Sequence, residues 1–158
     1  MRRLRRLPLT PRAFALVVAG IVVVLDQVTK YVAVRTLSDG PVSLIDGFLQ
    51  LRLLKNPGSA FSLFRGGGAV IALLAIAAVA MIVVIARQLP GKAEGTAIGL
   101  VLGGAVGNLL DRVFRGDGFL DGKVIDFVDF DFFPAFNVAD SAITIGAILA
   151  VLLAFRDR

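Results

Sequence analysis

Four stretches of this chain are apolar over lengths that matter: Ala13 to about Val34, Ala69 to Ala86, Gly95 to Leu110 and Val138 to Phe155. At about 1.5 Å per helical residue each covers most or all of a hydrocarbon layer roughly 30 Å thick, which predicts four membrane-spanning helices. The second carries no charged side chain. Between the spans the period changes. Leu49-Gln50-Leu51-Arg52-Leu53 alternates apolar and polar residues as a half-buried strand does, and with the apolar run before Asp46-Gly47 it predicts a hairpin over Val42 to Lys55. Arg65-Gly66-Gly67-Gly68 reads as a flexible joint before the second span. Val124-Ile125-Asp126-Phe127-Val128 is too apolar to stand in water and is expected against the membrane interface, within a connection running from Val113 to Asn137. With no internal repeat, low-complexity tract or composition break, the pattern predicts one domain over residues 1–158. Its fold class is membrane all-α, four transmembrane helices with a small antiparallel hairpin or sheet on one side.

Composition agrees. At 57% hydrophobic and 18% charged residues, with mean hydropathy +0.85, the chain is more apolar than a soluble domain of 158 residues can hide. Charge adds orientation. Arg2, Arg3, Arg5, Arg6 and Arg12 precede the first span, Arg87 and Lys92 sit between the second and third, and Arg156 and Arg158 follow the fourth. The positive-inside rule assigns these groups, and both termini, to the cytoplasm, and an even number of spans agrees. The net charge of +5 is then a matter of topology, and basic residues at helix ends without interleaved aromatics do not suggest nucleic acid. The basic start followed by Ala13 to Leu25 has the shape of a cleavable signal, but no small-x-small site follows, so it reads as a permanent span. The chain has no cysteine and no histidine, which removes thiol nucleophiles, disulfides, the usual general base and the commonest metal ligand. Carboxylates, lysine and hydroxyls are left for any reaction.

Counted from the cytoplasmic ends of their spans, Asp26 lies about 20 Å along, Asp111 about 24 Å and Asp140 about 22 Å. All three reach one level, the outer edge of the hydrocarbon, with Asn108 and Arg112. Ionisable groups there are costly, so they mark a functional site by default. Each also has a plain structural explanation. Asp26 and Lys30 are spaced to neutralise each other on one helix face, Asp111 has Arg112 beside it and Arg115 one turn on, and Asp140 follows Asn137 at capping-box spacing. Asp129 and Asp131 are expected to be solvated in a loop. Asp126, between Ile125 and Phe127 with no cation nearer in sequence than Lys123, is the local candidate for a protonated acid. If Asp126 tends to hold a proton while Asp140, near a helix N-terminus, tends to lose one, the two could share a proton as aspartic hydrolase dyads do. Spacing alone does not prefer Asp126 to Asp111 for that pair.

Five segments in order resemble the lipoprotein signal peptidase family, also called signal peptidase II. They are Asp26-Gln27-Val28-Thr29-Lys30, Asn56-Pro57-Gly58-Ser59-Ala60-Phe61, the run Gly103 to Arg112, Gly122-Lys123-Val124-Ile125-Asp126-Phe127, and Phe133-Pro134-Ala135-Phe136-Asn137-Val138-Ala139-Asp140. The resemblance implies an aspartic endopeptidase in a bacterial cytoplasmic membrane, with its site near the extracytoplasmic face. Such an enzyme removes the signal peptide of a prolipoprotein just before a cysteine carrying a diacylglyceryl group. By the same resemblance Asp126 and Asp140 are the catalytic dyad, Asn56, Asn108, Arg112 and Asn137 line the substrate site, and Asp26, Lys30, Gly58 and Asp111 support it. No metal or other cofactor is implied; the partners are lipid-modified prolipoproteins and membrane lipids, with no obligate protein partner. The family's outward hairpin and short surface helix, which clamp substrate, would correspond to Val42 to Lys55 and the stretch around Ser59 to Arg65. Two features depart from the pattern: Arg115 to Asp121 lengthens the connection to Asp126, and Ser59 stands where a small apolar residue is usual.

Two other classes compete. A proton-coupled carrier also places acids in a membrane, but carriers usually show inverted repeats and broken paired helices. An assembly factor could use polar residues only to join helices, and would then be expected to pair Asp126 and Asp140 with nearby cations.

Overall fold

The computed structural model describes residues 9–58, 67–118 and 120–156. Helix α1 spans Pro11–Thr36, α2 Gly67–Ile85, α3 Lys92–Phe114 and α4 Val138–Arg156; a short 3₁₀ turn, Ala86–Gln88, follows α2. Three of these helices, α1, α3 and α4, are long and apolar enough to cross a membrane among the described residues, and α2 contains the further apolar stretch Ala75–Ile85. The four expected helices are therefore present, with α3 extending beyond its expected bounds at both ends. Gly67 and Gly68, expected in a joint, are the first residues of α2, and the surface helix expected around Ser59 to Arg65 lies outside the described residues.

Helix α1 starts where its sequence says it should: Pro11 needs no N–H partner in the first turn, and Thr10 Oγ1 accepts the Ala13 N–H at 3.2 Å. Its faces are sorted in reverse of a water-soluble helix. Ala15, Ala19, Asp26, Lys30 and Ala33 are buried, while Leu16, Ile21, Val24, Leu25 and Val28 are exposed. That sorting suits a lipid surround, where apolar side chains gain nothing by leaving the surface and helix association rests on close packing and polar contacts. The close packing is visible on α3. Gly95, Gly99, Gly103 and Gly107 recur every fourth residue along the face meeting α1, and a Cβ at Gly103 would lie 2.7 Å from the Ala19 carbonyl oxygen. Gly104 and Gly146 perform the same service between α3 and α4. Backbones, rather than interdigitated side chains, set the heights of α1, α3 and α4 against one another.

The expected hairpin forms from β1 (Val42–Ile45) and β2 (Leu49–Asn56), with Gly47 at φ +67° in the turn. The sheet is larger than expected. The connection read as loop supplies β3 (Val124–Phe130) and β4 (Phe133–Phe136), giving an antiparallel sheet in the order β1-β2-β3-β4. The β2–β3 register slips by one residue between Leu51↔Val128 and Leu54↔Asp126, a bulge of the kind that re-aims side chains. Asp129 is consequently not in a solvated loop: it is buried in β3, takes a hydrogen bond from Gln50 Nε2 at 2.8 Å and pairs with Arg52 at 2.9 Å. Phe48, Phe130, Phe132, Phe133 and Phe136 form a chain of ring contacts with centroids 5.4–6.1 Å apart at one end of the sheet. Strand β4 then passes through a single residue, Asn137, into α4.

Candidate functional site

Two of the three acids expected at one depth, Asp26 and Asp111, meet on Lys30, and Asn108 links them to the third, Asp140. Lys30 Nζ lies 2.8 Å from Asp26 Oδ2, 2.8 Å from Asp111 Oδ2 and 3.0 Å from Asn108 Oδ1, so all three ammonium protons have acceptors in a place without solvent: Asp26, Lys30 and Asp111 are each 0% exposed. Asp111 also pairs with Arg115 Nε at 2.7 Å. Two bases thus balance two acids, and Gln27 Nε2 spans the pair, 3.1 Å from Asp26 Oδ2 and 3.3 Å from Asp111 Oδ1. The sequence assigns Gln27 no role, because nothing in its spacing separates it from an ordinary polar helix residue.

Both acids also reach backbone. Asp111 Oδ2 accepts the N–H of Ile125 at 3.1 Å, and Asp26 Oδ1 accepts that of Ala139 at 3.0 Å. Those amides belong to the residues immediately before Asp126 and Asp140. Each supporting carboxylate therefore holds the main chain beside one member of the expected dyad, one on a strand and one on a helix. This is a finer division than charge pairing suggests, and it changes Asp111's expected role: its partners are Lys30, Arg115 and Ile125, with no ion pair to Arg112.

Asp126 is 3% exposed and accepts from two amides, Asn56 Nδ2 at 2.9 Å on Oδ2 and Asn137 Nδ2 at 2.7 Å on Oδ1. Burial raises its pKa above the ordinary carboxylate range, and the charge of Asp140 adds to the rise, against the lowering effect of the Asn56 and Asn137 hydrogen bonds. Asn56 is held in turn by the Gly58 N–H, which meets its Oδ1 at 2.8 Å. Gly58 has φ +91°, a left-handed conformation that a side chain would strain. On the other side, Asp140 Oδ1 accepts from Asn108 Nδ2 at 2.8 Å, and Asp140 Oδ2 accepts the Asn137 N–H at 3.2 Å. Asn137 Oδ1 accepts the Asp140 N–H at 3.0 Å, which completes the capping box read from the sequence.

Asn137 is the junction. Only 1% exposed, it caps α4, holds Asp140 by its backbone and holds Asp126 by its side chain. Asn108 works similarly from α3. Its Oδ1 is taken by Lys30 and by Asn137 Nδ2 at 3.2 Å, which leaves its Nδ2 to face Asp140. Asn108 and Asn137, expected to meet substrate, spend these groups on the carboxylates. Arg112 does not: it is 7% exposed, with Nη1 buried and unpartnered. No ion pair reaches Asp126 or Asp140 among the described residues, in keeping with the expected lack of close cations. Lys30 acts through space on Asp126, and Arg112 on both acids. What the cluster offers chemically is two inequivalent carboxyl groups, one driven toward its protonated form, beside a guanidinium with an unused donor.

The protein-family model described as Signal peptidase (SPase) II matches residues 18–156. A curated Lipoprotein signal peptidase of Rhodococcus jostii (strain RHA1) is 46% identical over 143 residues, 90% of this chain and 72% of that protein. One of the same name from Mycobacterium tuberculosis (strain ATCC 25618 / H37Rv) is 43% identical over 149 residues, 92% of this chain and 74% of that one. Among solved structures, a bacterial membrane enzyme determined by the in meso method at 1.9 Å resolution superposes with a TM-score of 0.79 at 32% identity, covering 91% of this chain and 94% of its own.

Proposed function

Because this chain belongs to the signal peptidase II family, we propose that it is a membrane peptidase removing signal peptides from lipoproteins, and that it works as an aspartic endopeptidase through Asp126 and Asp140. The single observation that carries the mechanism is Asn137, which ties the buried Asp126 and the half-buried Asp140 together through its side-chain and main-chain nitrogens. Their different surroundings suggest the division of labour. Asp126, with its pKa raised by burial, holds the proton; Asp140, at the N-terminus of α4, is the base. Water between them loses a proton to Asp140 and adds to the scissile carbonyl as Asp126 protonates the carbonyl oxygen. Collapse of the tetrahedral intermediate returns that proton to Asp126, while Asp140 passes its own to the departing amine. Arg112 Nη1 is available to a substrate carbonyl, and Asn56 and Gly58 hold the outer side of Asp126.

The proposed substrate is a prolipoprotein whose cysteine already carries a diacylglyceryl group, cut just before that cysteine. The network stands at the ends of α1 and α3 remote from Arg12 and Lys92, so the positive-inside rule supports an extracytoplasmic site with cytoplasmic termini. At that level the lipid of the substrate can stay in the bilayer while its peptide reaches the acids. The test is turnover of a diacylglyceryl-modified precursor by purified protein in micelles. Asp126→Asn and Asp140→Asn should each lose at least ~10²-fold, the scale of a missing general acid or base, and their losses should not add. Cleavage near the wild-type rate by either variant refutes the dyad.

A further inference from the structure

The two turns of the sheet sit side by side. Ile45 to Phe48 joins β1 to β2, Phe130 to Phe133 joins β3 to β4, and the Asp131 N–H donates to the Phe48 carbonyl at 3.3 Å across the gap. Rings fill the junction, with the Phe48 centroid 5.5 Å from that of Phe130 and 5.4 Å from that of Phe132. The paired turns are nevertheless not a closed core. Ile45, Phe48, Phe132 and Phe133 are 44–71% exposed, one apolar patch at the end of the sheet, and a contiguous patch of this kind marks an interaction surface.

The place of the patch selects its partner. A hollow between β4 and α4 is lined by Phe133 and Phe136 on one side and by Thr144 and Ile145 on the other, so β4 lies alongside the first two turns of α4 rather than above them. Ile145 stands about 10 Å along the helix from Val138, well inside the span. From Ile145 the exposed apolar strip of α4 runs on through Ile148 and Leu152, on a helix long and apolar enough to cross a membrane. Patch and lipid-facing strip are thus one continuous surface. The turns also suit a place short of water: the Phe48 N–H is spent on the Ile45 carbonyl at 3.0 Å, the Asp131 N–H on that of Phe48, and the Ser43 hydroxyl on Asp46 Oδ1 at 2.5 Å. The two turns contain two acids, Asp46 and Asp131, and no base. Attraction to lipid phosphates is therefore not available, and apolar area alone must hold them.

We propose that the paired turns form an aromatic wedge that enters the bilayer beside α4, with Asp46 and Asp131 at headgroup level and the exposed rings among the first methylenes. The partner of this surface is the lipid layer itself, and the inference does not depend on the peptidase reading. Its consequence is mechanical. Asp126 and Phe132 lie six residues apart on one strand and its turn, about 20 Å in extended chain. The wedge therefore holds down the far end of a lever whose near end carries Asp126, while Asp140 is set by α4. A tip held in lipid keeps the strand from tilting away from the helix end.

The chain has no cysteine, so a single introduced cysteine carries a single label. Nitroxides placed by Phe132→Cys and, with all five rings kept, by Ile45→Cys are read in phosphatidylcholine vesicles for relaxation by oxygen, which concentrates in lipid, and by a nickel chelate, which stays in water. Ile148→Cys on α4 is the lipid reference, and Asp117→Cys, exposed in the connection after α3, is the water reference. The oxygen-to-nickel ratio at both tip labels should match that at 148, exceed that at 117, and be the same at low and high salt. Adding Phe48→Ser and Phe132→Ser to the chain labelled at 45 should lower its ratio to that of the water reference. Should the label at 132 disturb folding, the label at 45 decides. A tip ratio equal to that at 117 overturns the proposal, as does a label at 45 that stays in lipid after both rings are removed. Spin–spin broadening at the tip that disappears on dilution with unlabelled protein assigns the patch to a second copy of the chain and overturns it as well.

Discussion

Lys30→Met is the most searching change for the buried network. In the native cluster two bases, Lys30 and Arg115, offset two acids, Asp26 and Asp111, with Lys30 touching both at 2.8 Å and no solvent at any of the three sites. Replacing the ammonium by a thioether leaves one carboxylate without a counter-charge, and removing one partner of a buried pair costs about 3–5 kcal/mol. Asp26 is the stranded acid, because Asp111 retains Arg115 and the Ile125 N–H. Asp26→Asn in the same chain restores balance while keeping an acceptor for Ala139 N. The double variant should then recover about 2–3 kcal/mol, leaving a deficit of about 1 kcal/mol from hydrogen bonds not remade. On the scale of about 2–4 °C per kcal/mol for a domain of this size, Lys30→Met should melt about 10 °C below wild type in micelles, and the double variant within a few degrees of it. The assay is a thermal melt followed by far-ultraviolet circular dichroism or by retention of a monodisperse peak. A double variant as unstable as Lys30→Met, or a Lys30→Met protein that melts like wild type, refutes the account of this cluster as a balance of charges.

Asp126→Asn should be as stable as wild type or more so, with an advantage that widens as pH rises. An acid whose folded pKa is raised contributes fully below the ordinary carboxylate range, and loses that contribution as pH climbs through the raised value; melts from about pH 4 to about pH 8 would reveal the trend, and a constant gap would contradict it. Gly103→Val should cost at least about 1–3 kcal/mol and lower folded yield, since its Cβ would stand 2.7 Å from the Ala19 carbonyl, whereas Gly20→Val, with nothing within 4 Å of the added Cβ, should be near neutral. Arg112→Lys should raise KM for a lipidated precursor about tenfold, because a point charge does not reproduce the planar fork, with melting temperature unchanged as the control for a purely structural role.

The spans were legible because membrane crossing needs little more than length and apolarity, and depth arithmetic correctly brought Asp26, Asp111 and Asp140 to one level. The expected hairpin was legible too, through the alternation of Leu49 to Leu53 and the glycine at its turn. Strands β3 and β4 were not. Val124 to Val128 is nearly all apolar, with Val124 to Asp126 buried in succession, so it lacks the alternation that marks a half-buried strand, and Pro134 argues against a strand except at an edge, which is where β4 lies. The network was only half visible. Local spacing revealed Asp26 with Lys30 and Asn137 with Asp140, yet the contacts giving them direction, from Asp26 to Ala139 and from Asp111 to Ile125, join elements 113 and 14 residues apart. Arg112 also misled: sequence neighbours on a helix point about 100° apart, so Asp111 faces Lys30 while Arg112 turns elsewhere.

The row of glycines on α3 has a bearing on how such a protein could change over time. With α1 seated backbone to backbone, the two helices cannot creep past each other by small increments; the next comparable fit is a whole turn away, about 5.4 Å along the axis, and would part Asp26 from Gly107 and from Lys30's other partners. Sequence drift is thus channelled. The outward residues of α1, such as Leu16, Ile21 and Val24, can exchange freely among apolar types. A thicker or thinner bilayer can be met by lengthening or trimming the helices at the ends far from the acids. The glycine seam acts as a fixed datum from which the depth of the acids is measured, so a lineage can move between membranes and carry its chemistry unaltered.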